Sequence, residues 1–248
     1  MIRAVQPGPV VGLIGQLAVL SVIATTIGLG VGGWFAGTAC GLVTAALLLQ
    51  GLTRSGIGLL GAANRVTLIR ATVVGGVTAL VADALIGPAS VAAIAGFSIL
   101  ALILDGVDGW VARRTGTVSA LGARFDMEVD AFLILILSMY VAQSVGPWVL
   151  AIGAARYAAW AVGLVFRWMR TPLPPRYWRK PVAAIQGIVL TAAVADLLPG
   201  VVINVAIVVA MALLAESFGW DVVWQWRRHR ALRSERLAET MATSPSAI

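Results

Sequence analysis

Eight apolar stretches of roughly bilayer-crossing length govern what this chain can fold into. They run over about residues 10–29, 34–52, 66–86, 89–112, 123–143, 147–168, 182–198 and 201–223. About 20 apolar residues cross the hydrocarbon core as a helix. Hydrocarbon offers no water to the backbone N–H and C=O groups, so each run is expected to satisfy them internally as an α-helix. The predicted fold class is therefore all-α, a polytopic transmembrane helix bundle. Gly30, Gly32 and Gly33 separate the first two runs, and Gly87-Pro88, Gly146-Pro147 and Pro199-Gly200 mark later turns. Composition agrees: 60% of the residues are hydrophobic, 12% are charged and the mean hydropathy is +0.94.

The charges test this topology. Arg3, Arg54 and Arg65, then Arg113, Arg114 and Arg124, then Arg167, Arg170, Arg176, Arg179 and Lys180, and finally the arginines from Arg227 onward, fall on alternate connections. The intervening connections near 30–33, 87, 145 and 200 carry no Lys or Arg. Positive connections stay in the cytoplasm, which predicts a multi-pass protein with both termini cytoplasmic. The net charge of +7 then serves anionic lipid and phosphorylated substrates, and nucleic acid is not an expected partner. Trp220, Trp224 and Trp226 stand at the last membrane exit as interfacial anchors. Residues 227–239 are expected to form a basic surface helix, and the last residues, 240–248, to be disordered. Cys40 is the only cysteine and His229 the only histidine. Intramolecular disulfides, zinc–thiolate sites and histidine-based triads are thereby excluded.

Against this apolar background, residues 105–130 hold four aspartates, Asp105, Asp108, Asp126 and Asp130. Carboxylates near hydrocarbon are costly and need partners. Asp105 and Asp108 are spaced i,i+3, and Asp126 and Asp130 i,i+4, so each pair shares one helix face. Gly116 and Thr117 lie between and can turn the chain so that the faces meet. Four converging carboxylates do not all stay ionised without cations. One or two hard divalent ions with oxygen ligands, Mg²⁺ or Mn²⁺, answer this. The basic connection at 113–124 places the group toward the cytoplasm, within reach of a soluble nucleotide.

The stretch reads Asp105-x2-Asp108-Gly109-x2-Ala112-Arg113-x8-Gly122-x3-Asp126-x3-Asp130. It resembles, at every fixed position, the motif of the CDP-alcohol phosphotransferase family of integral membrane enzymes. Asn64-Arg65-Val66-Thr67-Leu68-Ile69-Arg70 is similar to the Asn…Thr…Arg opening of that family's first core helix. The resemblance implies a six-helix core over residues 61–226, preceded by two additional helices in 1–60 and followed by a basic cytoplasmic tail, 227–248. It implies transfer of a phosphatidyl group from CDP-diacylglycerol to a polar alcohol, with release of CMP and dependence on two Mg²⁺ or Mn²⁺ ions. Carried over by position, Asp105, Asp108 and Asp126 are metal ligands, and Asp130 is the general base and a further metal contact. Asp105, Gly109, Ala112, Arg113, Gly122, Asn64 and Thr67 are the expected contacts of the CDP donor. The small side chains let a flat base or diphosphate approach the backbone, and Arg113 can pair with phosphate oxygens. A homodimer is expected on the same resemblance.

The expected acceptor is a phosphorylated polyol such as inositol phosphate or glycerol 3-phosphate. Arg156 lies mid-span, where a charge is either functional or paired with an acid on another span. Arg156, Arg179 and Lys180 are the candidate acceptor contacts, although positive-inside topology also accounts for the loop residues. Trp178 to Gln186 is faintly similar to a stretch of phosphatidylglycerophosphate synthases, aligning Lys180 and Gln186. Val182 and Ala183 depart from that pattern, which leaves an unphosphorylated acceptor or another CDP-linked donor as the alternative. Two more distant readings are an intramembrane prenyltransferase and a cation or proton transporter. The first expects two widely separated Asp-rich motifs, the second acids spread through the bilayer depth. Asp83 and Asp196 are expected at solvated extracellular ends, and Glu216 near an arginine.

Overall fold

A computed structural model describes residues 7–55, 61–88, 90–116, 119–171, 173–174 and 178–243. Among them are eight α-helices and no strands: α1 (Pro7–Thr26), α2 (Val31–Ser55), α3 (Ala62–Ala84), α4 (Val91–Thr115), α5 (Ala120–Val145), α6 (Leu150–Val165), α7 (Arg179–Ala195) and α8 (Gly200–Thr243). Short 3-10 turns at Pro147–Val149 and Arg167–Arg170 flank α6. The helices coincide with the eight apolar stretches. Six of them are long and apolar enough to cross a membrane, which makes this an integral membrane protein. The other two are α5, whose first turns carry the acids Asp126, Glu128 and Asp130, and α7, whose apolar part is only Pro181–Ala195.

The middle of the bundle is α3. Its neighbours are α1 and α2 on one side and α4 and α5 on the other. Leu68, Ala71, Val73, Val74, Val77, Leu80 and Val81 are all buried, so apolar residues point inward around most of its circumference. That pattern belongs to a helix with protein on every side. By contrast α1 and α2 leave Val11, Ile14, Val22, Val31 and Phe35 exposed, as lipid-facing helices do. On α7, Val182, Gln186, Leu190 and Val194 repeat every four residues and form one buried stripe, and α7 packs on α4, α5 and α8.

Turn chemistry sets where the helices stop. Gly116 ends α4 in the left-handed conformation, φ 63°. Ser119 opens α5, its hydroxyl accepting from Gly122 N at 3.0 Å. Thr117 lies outside the described residues. Asp83 has a role its position did not suggest. Its carboxylate accepts from Gly30 N and Gly33 N, both at 2.6 Å. An acid at the end of α3 thus caps the N-terminus of α2, where unpaired N–H groups and the helix dipole favour negative charge. Asp196 is exposed and ends α7 at φ 50°.

The basic tail is not a separate element. α8 continues unbroken through 44 residues to Thr243, about 66 Å at 1.5 Å per residue, roughly twice the hydrocarbon thickness. Residues 240–243, expected to be disordered, belong to it, and 244–248 lie outside the described residues. Past the membrane, α8 holds the α6–α7 connection. Gln225 Nε2 donates to the carbonyls of Met169 and Thr171 at 2.8 and 3.1 Å. His229 stacks on Trp168 with ring centroids 5.9 Å apart. Glu216 accepts from Trp178 Nε1 at 3.1 Å.

Candidate active site

Three helices meet where the acids lie. Asp105 and Asp108 come from the last three turns of α4, and Asp126 and Asp130 from the first three of α5. The left-handed stop at Gly116 and the Ser119 cap set where these ends lie, and the i,i+3 and i,i+4 spacings turn both pairs inward. From α3 come Asn64, Thr67 and Arg70, spaced three apart and all buried.

Arg70 is the hub. Its Nη1 pairs with Asp105 Oδ1 and lies 2.6 Å from Asp130 Oδ1. Its Nη2 pairs with Asp126 Oδ1 and lies 3.5 Å from Asp108 Oδ2. One guanidinium therefore meets carboxylates from both pairs. The Arg70 side chain is 1% exposed and that of Asp108 is 6% exposed, whereas Asp105, Asp126 and Asp130 are 41, 36 and 34% exposed. The site is a cup with Arg70 and Asp108 as its floor and three carboxylates on its rim. Thr67 Oγ1 completes the floor, donating to Asp108 Oδ2 at 3.2 Å.

The donor set fits a hard divalent cation. Asp105, Asp108 and Asp126 each bring a ligand atom within 4.8 Å of the others, and an all-carboxylate set is what Mg²⁺ and Mn²⁺ accept. Asp130 stands outside this triplet and meets the cluster through Arg70. Four carboxylates against one arginine leave three formal negative charges in excess. Burial of Arg70 and Asp108 makes such an excess expensive without further cations.

The smaller motif residues divide. A Cβ on Gly109 would meet only the end of the Arg113 guanidinium, at 3.3 Å, so the backbone there is open to a ligand. Ala112 is half-buried beside it and Arg113 is exposed. At Gly122 a Cβ would collide with Asn64 Oδ1, so the missing side chain lets the Asn64 amide of α3 lie against α5.

The acceptor candidates come from α6 and α7. Arg156 on α6 pairs with Glu128 on α5. Glu128 is two positions from both Asp126 and Asp130, about 160° around the helix from each. Arg179 and Lys180 are the first residues of α7, and Arg176 lies outside the described residues. Gln186, buried, donates to the Ala210 carbonyl at 2.7 Å and locks α7 to α8.

Sequence reasoning passed over Arg70 as a site residue, although it closes the Asn64-x2-Thr67-x2-Arg70 series on a face of α3. A lone arginine five residues inside a span, in register with two polar residues, was the available signal.

An apolar helix bundle with a carboxylate cup at one end of α4 and α5 defines an integral membrane protein whose clustered acids have the chemistry of a hard-cation site. Residues 60–214 match the sequence profile of the CDP-alcohol phosphatidyltransferase family. The chain belongs to that family of transferases. The match begins just before α3 and runs into α8, leaving α1 and α2 outside it. Family membership sets aside the prenyltransferase and transporter readings. No curated protein and no solved structure matches the chain.

Proposed function

We propose that this enzyme moves a phosphatidyl group from CDP-diacylglycerol to a phosphorylated polyol at the cytoplasmic membrane face and releases CMP. The observation that supports this reading best is the convergence of Asp105, Asp108, Asp126 and Asp130 around Arg70 in a member of this family. Residues 61–226 form the catalytic core on this reading, 1–60 a supporting hairpin, and 227–248 a basic cytoplasmic extension.

In the proposed reaction the acceptor hydroxyl oxygen attacks the phosphorus next to the lipid. The bond from that phosphorus to the bridging oxygen of CMP breaks, and CMP leaves with the bond's electrons. Asp130 takes the hydroxyl proton. A carboxylate is a weak base for an alcohol, so proton transfer accompanies attack. Asp105, Asp108 and Asp126 hold Mg²⁺ or Mn²⁺, which when bound offsets the charge that develops on the diphosphate. Gly109 and Ala112 leave room for the donor against α4, and Arg113 at the rim meets its phosphate oxygens. Gly122, Asn64 and Thr67 act through position: they hold α3, α4 and α5 at the spacing the cup requires. Arg156, Arg179 and Lys180 supply positive charge for the acceptor phosphate.

The test is CMP release by purified protein with CDP-diacylglycerol and Mg²⁺ or Mn²⁺, across glycerol 3-phosphate, inositol 1-phosphate, inositol, serine and choline. Release that needs a phosphorylated acceptor and stops on chelation is expected. Release with serine or choline alone overturns the acceptor assignment, and release unaffected by chelation overturns the metal role.

A further inference from the structure

Arg70 and a divalent cation make claims on the same carboxylates. The three that bring ligand atoms within 4.8 Å of one another, Asp105, Asp108 and Asp126, are all ion-pair partners of this one guanidinium. A guanidinium does not lose its proton in a protein, so it cannot give way by becoming neutral. Its room to retreat is small, because its side chain is 1% exposed. Its charge also changes what the cup demands. With Arg70 present, one divalent ion reduces the formal excess from three negative charges to one. Without Arg70, the same ion leaves two.

We propose that Arg70 sets the metal affinity of the aspartate cup by competing with the divalent cation for Asp105, Asp108 and Asp126. It holds the affinity below what four carboxylates alone would give. A site that bound its ion as tightly as the acids permit would hold the phosphate of the departing CMP against release. The inference shares with the proposed function only the metal-holding role of the aspartates, and its test uses neither donor nor acceptor.

Mn²⁺ binding to the purified full-length chain is measured from the spin-resonance signal of the free ion, for wild type, Arg70→Gln and Arg70→Lys. Arg70→Gln is expected to bind Mn²⁺ about tenfold or more tightly, since it removes a unit positive charge at contact distance in a poorly screened site. Arg70→Lys keeps a charge and falls between. Equal or weaker binding by a folded Arg70→Gln overturns the proposal, as does no saturable Mn²⁺ binding by any of the three. Should Arg70→Gln not fold, side-chain nitrogen resonances of labelled arginine in the wild type decide. The Arg70 signal, assigned by its loss in Arg70→Lys, is expected to move as Mg²⁺ saturates the site. A signal that stays fixed through saturation overturns competition. Tightened Mn²⁺ binding without CMP release would sustain this inference while removing the transfer reaction, and the reverse result would do the opposite.

Discussion

Arg70 Nη1 lies 2.6 Å from Asp130 Oδ1, so the proposed base is held by the same guanidinium that pairs with the proposed metal ligands. This predicts that Asp130 is oriented before any acceptor arrives. Asp130→Asn keeps the shape and removes the basic oxygen. It is expected to lower kcat about 10²–10⁴-fold, the usual worth of positioned acid–base catalysis. Binding of CDP should change little. Steady-state CMP release together with CDP binding checks this, and wild-type turnover in Asp130→Asn would remove the base assignment.

Thr67 supports the floor of the cup through its bond to Asp108. Thr67→Val keeps the shape but deletes the donor beside a buried carboxylate. Hydrogen bonds to charged groups are worth about 1.5–3 kcal/mol, so a clear loss of thermal stability is expected. Thr67→Ser, which keeps the hydroxyl, should recover most of it.

The Gly122–Asn64 contact predicts a coupled pair. Gly122→Ala forces a Cβ onto Asn64 Oδ1 and should cost about 1–3 kcal/mol, as overpacking does. Combining it with Asn64→Ala should cost less than the two single changes added, which a double-mutant cycle in unfolding measures. Gly96→Ala on α4 is the control. A Cβ there meets nothing within 4 Å, and the change should be neutral or stabilising by up to about 1 kcal/mol.

Asp83 joins α2 to α3 at the opposite end of the bundle from the basic connections. Asp83→Ala removes an acceptor shared by two N–H groups and should cost about 0.5–2 kcal/mol, as lost helix caps do. The expected signature is faster proteolytic cutting in the α1–α2 region with turnover of the remaining intact protein unchanged. Equal cutting rates would show that the cap does not secure the hairpin.

Arg156 lies mid-span and pairs with Glu128, and a charge stripped of its partner within a span is costly. Arg156→Ala should therefore lower the melting temperature, and Arg156→Lys should recover part of the loss. If Arg156 serves the acceptor, KM for the phosphorylated alcohol rises while KM for CDP-diacylglycerol holds. Parallel rises in both would assign it a structural role.

Much of this was legible in the residues themselves. The i,i+3 and i,i+4 spacings of the aspartates announced two inward faces, and Gly116 marked the turn between them. Partnerships were not legible in the same way. Glu128 drew no attention as the answer to Arg156, because nothing in either helix alone says which face meets which. Nor could spacing show that Gly122 makes room for Asn64.

The chain by itself determined the membrane, the helices and the acidic pairs. Each of these depends on local order along the chain: hydropathy over some twenty residues, and a helical repeat that sets neighbours three and four apart. Tertiary structure alone decided that Arg70 stands among four carboxylates, that Asp83 caps α2 and that α8 runs on to hold the α6–α7 connection. A buried charge takes its meaning from the charges that packing brings within a few ångströms, and those arrive from helices distant in sequence.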